Sequence, residues 1–358
     1  MSANDLFEDD RAGRKETMQK KLIMVGENIH CTRVYKVGGA FVQQQDNGRH
    51  AIVYGGKGET QVLPIPARFT ETADWKNGKI KHCGVAVWQG LYGDAAGQAA
   101  GKGYIQYLAL RQQAAEAAFL DVNVDEFSTD IEERCRAIKW VAGVVQEKAR
   151  IPLSIDSSNP AILKAGLEAC DKARGKPMVN SVSLERVEAI GVAAQFNAVV
   201  IASAAGEKDL PANTEERLAN LDRLMPKLQA AGLRPGDIYV DPLVFPVGTD
   251  PLNGKSFLDA VKAVRERFGL EIHITGGLSN VSFGMPNRKL INVAFTWLAL
   301  ESGADSGIVD PLQINGKLLA AVDPAAEPFK LACALLTGED MFGAEYILAH
   351  REGRLGAE

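Results

Sequence analysis

A chain of 358 residues with a 46% hydrophobic composition carries enough apolar surface for a sizeable core, in one large or two ordinary domains. Its 40 basic and 45 acidic residues give a formal net charge of -5 without a long run of either sign, which argues against a nucleic-acid interface. No segment approaches the roughly 18 uninterrupted apolar residues of a membrane span, and the first positions are polar and charged, so a cytoplasmic location is expected.

Residues 1–20 lack apolar periodicity and read as a mobile tail. The first strand is predicted over 21–27, leading into Gly26-Glu27-Asn28-Ile29-His30. Between about 31 and 98 the rhythm breaks: Gly38-Gly39, Asp46-Asn47-Gly48, Gly55-Gly56 and Asn77-Gly78 punctuate short apolar runs, the mark of an irregular or small β insertion. From there helices and strands alternate. A helix over 99–118 leads to the strand 119–124, and Thr129-Asp130 caps a helix running to about 150. The strand 152–156 precedes Asn159-Pro160, a cap with proline at the first helical position. Strands follow over 178–183, 198–202, 238–241, 272–274 and 307–309, with helices over 184–196, from Asn213 to about 232, and over 256–268, 288–302 and 324–336.

Eight short, uniformly apolar strands separated by helices predict a fully covered parallel sheet, and the count favours a (β/α)8 barrel. The alternative is a doubly wound sheet, which calls for a glycine-rich phosphate turn after the first strand; Gly26-Glu27-Asn28 does not supply one. The expected organisation is one barrel over 21–345 with 31–98 inserted in its first strand-to-helix loop, and a C-terminal tail over 346–358.

Asp121, Asn123, Asp156, Asn180, Asp241 and Asn280 stand at the ends of the second, third, fourth, sixth and seventh strands. Each has a plain alternative as a helix cap. Together they would line one cavity with carboxylates and carboxamides, a lining suited to a flat, nitrogen-rich heterocycle. Cys31, Cys83, Cys135, Cys170 and Cys333 are odd in number and widely spaced, against a disulfide framework or a zinc site. His30, His82, His273 and His350 have no metal-binding spacing and read as ordinary surface or core residues; no metal is expected.

Asp156-Ser157-Ser158-Asn159, Asn180-Ser181, Tyr239-Val240-Asp241-Pro242-Leu243 and Gly277-Leu278-Ser279-Asn280-Val281-Ser282, followed by Asn287-Arg288 and Asn292, resemble the pterin-binding methyltransferases. The nearest likeness is to the methyltetrahydrofolate:corrinoid iron-sulfur protein methyltransferases and to the folate domain of cobalamin-dependent methionine synthases. It covers roughly residues 100–336 and the first strand. The resemblance implies that Asp156, Asn180 and Asp241 hold the pterin ring of tetrahydrofolate or methyltetrahydrofolate, with Asp121 and Asn123 on the same floor. It implies that Gly277, Ser279 and Arg288 belong to the site, and that Asn280 hydrogen-bonds the methyl-bearing N5. The methyl group would pass to or from a corrinoid (cobalamin) carried by a partner protein, since the chain has no Asp-x-His-x-x-Gly corrinoid signature. A homodimer is the family expectation. The proton for N5 is expected from water, because no histidine or high-pKa carboxyl is evident in the motifs.

Two departures stand out. Relatives end the first strand Gly-Glu-Arg-x-Asn, where this chain has Asn28 and His30. The 31–98 insertion, expected on the catalytic face, could be a lid, a docking surface, an oligomer contact or a structural decoration. Two rival readings are a dihydropteroate synthase, disfavoured because Asp310-Pro311-Leu312 replaces the basic phosphate site of the eighth strand, and a non-catalytic folate-binding subunit, disfavoured by Asn280.

Overall fold

The computed structural model describes residues 22–56 and 58–356, so the tail expected at 1–20 lies outside the described residues. Eight strands form one sheet: β1 (Ile23–His30), β7 (Phe119–Asn123), β8 (Leu153–Asp156), β9 (Met178–Val182), β10 (Val199–Ser203), β11 (Ile238–Asp241), β12 (His273–Ile274) and β13 (Ser306–Val309). The five between β1 and β7, β2 to β6, are Val34–Lys36, Val42–Gln44, His50–Gly56, Glu59–Pro64 and Lys79–Lys81. Large-sheet order is β12-β11-β10-β9-β8-β7-β1-β13. Just past β12, Gly277 pairs in parallel with Ile308 of β13, bringing the two ends of that order together. The fold is the expected (β/α)8 barrel. β7 and β10 are buried at every position, which is why they read as unbroken apolar runs rather than alternating ones.

The chain divides into two compact units, residues 27–180 and the chain up to Gly26 together with Ser181 onward, with boundaries inside β1 and β9. In the 27–180 unit, β1 runs past the expected Glu27 to His30. The chain stays extended there, and the Cys31 N–H donates to the Asn123 carbonyl at 2.9 Å. The segment 31–98 holds a three-stranded antiparallel sheet, β3-β4-β5, and a two-stranded one, β2-β6. It also holds a helix over His82–Tyr92, ahead of the helix Ala95–Ala114 that the sequence pattern had placed four residues later.

Those two helices pack through glycines. A Cβ on Gly101 would lie 2.4 Å from the Ala86 carbonyl oxygen, and one on Gly90 would enter the Trp140 ring. Further along, Asp130 accepts from the Glu132 and Glu133 N–H groups to start the helix Ile131–Gln146. Asn159 does the same for Ala161 ahead of Pro160–Glu168. Each such cap is worth about 1 kcal/mol.

In the other unit, Asn213 caps Thr214–Ala230, and helices Asn253–Phe268, Arg288–Glu301 and Glu327–Thr337 follow β11, β12 and β13. Residues 346–358, expected as a tail, are helical as far as Arg351, with Tyr346 and Leu355 buried. The Tyr346 hydroxyl donates to the Asn287 carbonyl at 3.2 Å, and the Asn287 amide donates to the Leu355 carbonyl at 3.4 Å. These contacts hold the chain end against the start of the helix Arg288–Glu301.

Because a backbone carbonyl cannot move aside cheaply, Gly101→Ala should destabilise the protein by about 2 kcal/mol. Thermal unfolding would read this as a clear drop in Tm, whereas an unchanged Tm would show that the two helices can separate without cost.

Candidate active site

In the 27–180 unit the strand register builds the site. Asn123 of β7 is paired with Asp156 of β8, and Asp156 with Asn180 of β9, so three polar side chains stand in one row across adjacent strand ends. Asp121, two residues before Asn123, shares its face and lies one layer deeper, with no exposed surface.

Each group in this row is tied to the next. The Asn123 amide donates to Asp156 Oδ2 at 2.9 Å, and the Asn180 amide faces both oxygens of Asp121 at 3.4 and 3.5 Å. From the end of β1, His30 Nε2 meets Asp121 Oδ2 at 2.7 Å. Asp125, beyond β7, accepts from the Ser157 hydroxyl at 2.6 Å and from the Ser158 N–H at 2.9 Å. Thus Ser157 and Ser158 fix the loop after β7. Ser154, beneath Asp156 on the same strand face, has a buried hydroxyl with no partner among the described residues.

Burial and crowding set the charges. Burial, then the charge of Asp121, raises the Asp156 carboxyl to about 7. For His30, burial alone would lower the pKa, but the hydrogen bond and charge of Asp121, with Asp156 and Glu27, outweigh it and raise the value. His30, Asp121 and Asp156 bring one nitrogen and two carboxylate oxygens within 4.8 Å of one another. The 2.7 Å approach of His30 to Asp121 is that of a shared proton.

The other unit carries the remaining predicted residues. Asp241 Oδ1 accepts from the Leu243 N–H at 2.8 Å, and Leu243 sits at φ 74°, a left-handed conformation for a branched residue, held there by this turn. Burial raises the Asp241 carboxyl to about 6, opposed by the Leu243 N–H and by Arg217. Arg217 is 1% exposed and donates to the Pro242 carbonyl and the Ser256 hydroxyl, both at 2.7 Å.

Asn280 lies exposed in the 3-10 turn Leu278–Ser282. A Cβ on Gly277 would stand 2.9 Å from the Asn280 amide nitrogen, so glycine there lets the carboxamide lie over the backbone. Arg288 reaches back to the Ser282 hydroxyl at 3.0 Å and the Ser279 carbonyl at 2.9 Å, which pins this turn.

Sequence reasoning missed three residues here. His30 and Asp125 are brought in only by strand register, and Arg217 lies in the first turns of the helix Thr214–Ala230, where its position in sequence gives no sign of the contacts it makes. The expectation that no histidine or high-pKa carboxyl belongs to the motifs is corrected by His30, Asp156 and Asp241. A cleft of about 670 Å³ also opens beside the loop after β7, lined in part by Arg68, Phe69, Lys81, Trp88 and Phe127.

Residues 106–310 match the family model for pterin binding enzymes. A methylcorrinoid:tetrahydrofolate methyltransferase from Eubacterium limosum is 32% identical over 259 residues, 71% of this chain and 89% of that protein. The chain belongs to the pterin-binding methyltransferase family. Among solved structures, a Yersinia pestis dihydropteroate synthase with a bound pterine-sulfa conjugate superposes with a TM-score of 0.50 at 17% identity, covering 67% of this chain and 90% of that one. At that identity the likeness concerns the fold alone.

Within this pterin-binding methyltransferase, Asn28 occupies the position of the arginine in the family pattern. It is buried, its N–H donating to Gln112 Oε1 at 3.0 Å. Arg33 instead pairs with Glu27 at 2.7 Å. Among the described residues no helix is long and apolar enough to cross a membrane.

The raised Asp156 pKa has a stability consequence whose sign follows from linkage. In the unfolded chain Asp156 ionises near 3.8 and in the folded protein near 7, so between these values the unfolded chain binds fewer protons and stability falls as pH rises. Asp156→Asn keeps an acceptor for Asn123 and removes that loss. Relative to wild type, its Tm should rise progressively from about pH 4 to about pH 7 and level off above. A Tm difference that does not change with pH would show that Asp156 is already ionised in the free protein.

Proposed function

We propose that this protein moves a methyl group between N5 of methyltetrahydrofolate and the cobalt of a corrinoid carried by a separate protein. The observation that carries this reading is the in-register row Asn123, Asp156, Asn180 over a fully buried Asp121, together with the methyltransferase relative from Eubacterium limosum.

The row suits a pterin edge. A pterin presents an amino group and a ring N–H side by side, two donors that a single ionised carboxylate accepts as a pair. Asp156 is placed for this, with Asn123 engaging only Oδ2. Its raised pKa means that below about pH 7 the free site takes up a proton which the pterin donors displace. Asn180 must point its nitrogen toward the acceptor-only Asp121, which leaves its carbonyl oxygen as an acceptor for the ring. Asp241 has one oxygen committed to the Leu243 N–H, and the other is assigned to the pterin. Asp121 acts from beneath, through Asn180 and His30. Gly277, Ser279 and Arg288 serve by shaping and pinning the turn that bears Asn280.

Chemistry at N5 sets the demand on that turn. When the methyl group leaves, the C–N bonding pair stays on nitrogen, and an amide anion is a very poor leaving group unless the nitrogen gains a proton or a strong hydrogen bond. The Asn280 carboxamide is a neutral donor suited to offer that bond as the charge develops. The proton itself comes from solvent, and the corrinoid cobalt takes the methyl group. A homodimer belongs to the same reading, on the resemblance of the motifs.

The test follows visible absorbance on mixing the protein, methyltetrahydrofolate and a Co(I) corrinoid. Methyl-corrinoid should form, and Asn280→Ala should slow its formation about a hundred-fold while changing folate affinity far less. Equal losses in both would remove the transition-state role of Asn280, and absence of folate binding by wild type would overturn the pterin assignment.

A further inference from the structure

We propose that His30 is a positioning residue for folate: by sharing a proton with the buried Asp121, it keeps the neighbouring Asp156 able to accept the donors of the pterin edge. This rests on the folate reading above and adds to it the group that sets the pH range of binding.

The geometry is that of two carboxylates in one pocket with a single imidazole against them. Asp121 has no exposed surface, and its Oδ2 lies 2.7 Å from His30 Nε2. Asp156 stands close enough that one oxygen of each carboxylate and the imidazole nitrogen lie within 4.8 Å of one another. Two carboxylates so placed resist being ionised together, because each charge raises the cost of the other. An imidazolium on Asp121 offsets one of them.

The remaining neighbours do not take this part. Glu27, on the same strand as His30, is paired with Arg33. Asp125, beyond β7, is held by Ser157 and Ser158 and adds a further negative charge near Asp156. Asn123 and Asn180 are neutral. From the helix packed on β1, His82 is pushed down to about 3 by burial and then by the Arg33 charge, and burial pushes Cys83 up to about 12. Both are therefore uncharged around neutral pH. His30 is the one titrating cation that faces both carboxylates among the described residues.

The consequence is directional. In wild type, folate affinity should fall about ten-fold per pH unit below the midpoint at which Asp156 takes up its proton, and level off above it. His30→Gln keeps a donor for Asp121 but carries no charge. Its acid limb should move to higher pH, so that one unit below the wild-type midpoint it binds about ten-fold more weakly than wild type. Well above both midpoints, where His30 is neutral in wild type as well, the two affinities should converge. Asp121→Asn removes the opposing charge and should move the limb to lower pH.

The measurement is methyltetrahydrofolate affinity by calorimetry across the pH range, with circular dichroism confirming that each variant is folded. Opposite displacements for the two variants support the proposal, because a merely structural role would weaken binding equally at every pH. A His30→Gln limb that coincides with wild type, or a loss uniform in pH, overturns this role of His30 and leaves the folate reading standing. Wild-type protein that binds no folate at any pH overturns both.

Discussion

A carboxylate with no access to water governs this site. Asp121 lies at 0% exposure one layer below the strand ends, where an ion without a counter-charge costs several kcal/mol. The surrounding side chains answer that demand: His30 from β1 meets one oxygen, and the Asn180 amide from β9 faces the carboxylate. Asp156 cannot answer it, being of like charge, and burial followed by that charge raises its proton affinity. The buried charge thus orders the neighbours into donors and a displaced acid.

The second constraint is steric, at the turn after β12. Gly276 and Gly277 let the backbone run close to Phe257 and to Ile308 of β13, and Gly277 leaves room for the Asn280 carboxamide. Arg288 ties the turn to the helix that follows, and Asn287 ties that helix to the chain end through Leu355 and Tyr346. Residues far apart in sequence therefore fix one amide. The resemblance singled out Arg288 as a binding residue; its guanidinium reaches the Ser282 hydroxyl and the Ser279 carbonyl of the turn bearing Asn280.

What was legible in the sequence was local. The caps Asp130, Asn159 and Asn213 were readable because a side chain just before a helix satisfies N–H groups two or three residues on, and strands such as Ile238–Asp241 because β-branched runs end in turn residues. Strand-end carboxylates and amides were found for the same reason. What escaped depends on register. His30 lies 91 positions from Asp121, and Arg217 lies 25 from the carbonyl it holds. The expectation of no high-pKa carboxyl failed because a raised pKa belongs to an environment, not to a residue type. The helix Ala344–Arg351 escaped as well, its two buried positions, Tyr346 and Ala349, being too few to show a period.

The barrel shared with a dihydropteroate synthase does not by itself decide the chemistry, since one fold hosts many reactions. The end of β13 bears on the choice. There Asp310 Oδ1 accepts from the Leu312 N–H at 3.0 Å and Oδ2 from the Gln313 amide at 2.8 Å, so a carboxylate folds back over its own turn. A phosphate-bearing substrate needs cations or free N–H groups at such a position, and an anion beside it repels that substrate. A methyl group leaving a ring nitrogen sheds no phosphate and makes no such demand. At this strand end the carboxylate leaves such a substrate an anion to meet rather than a cation.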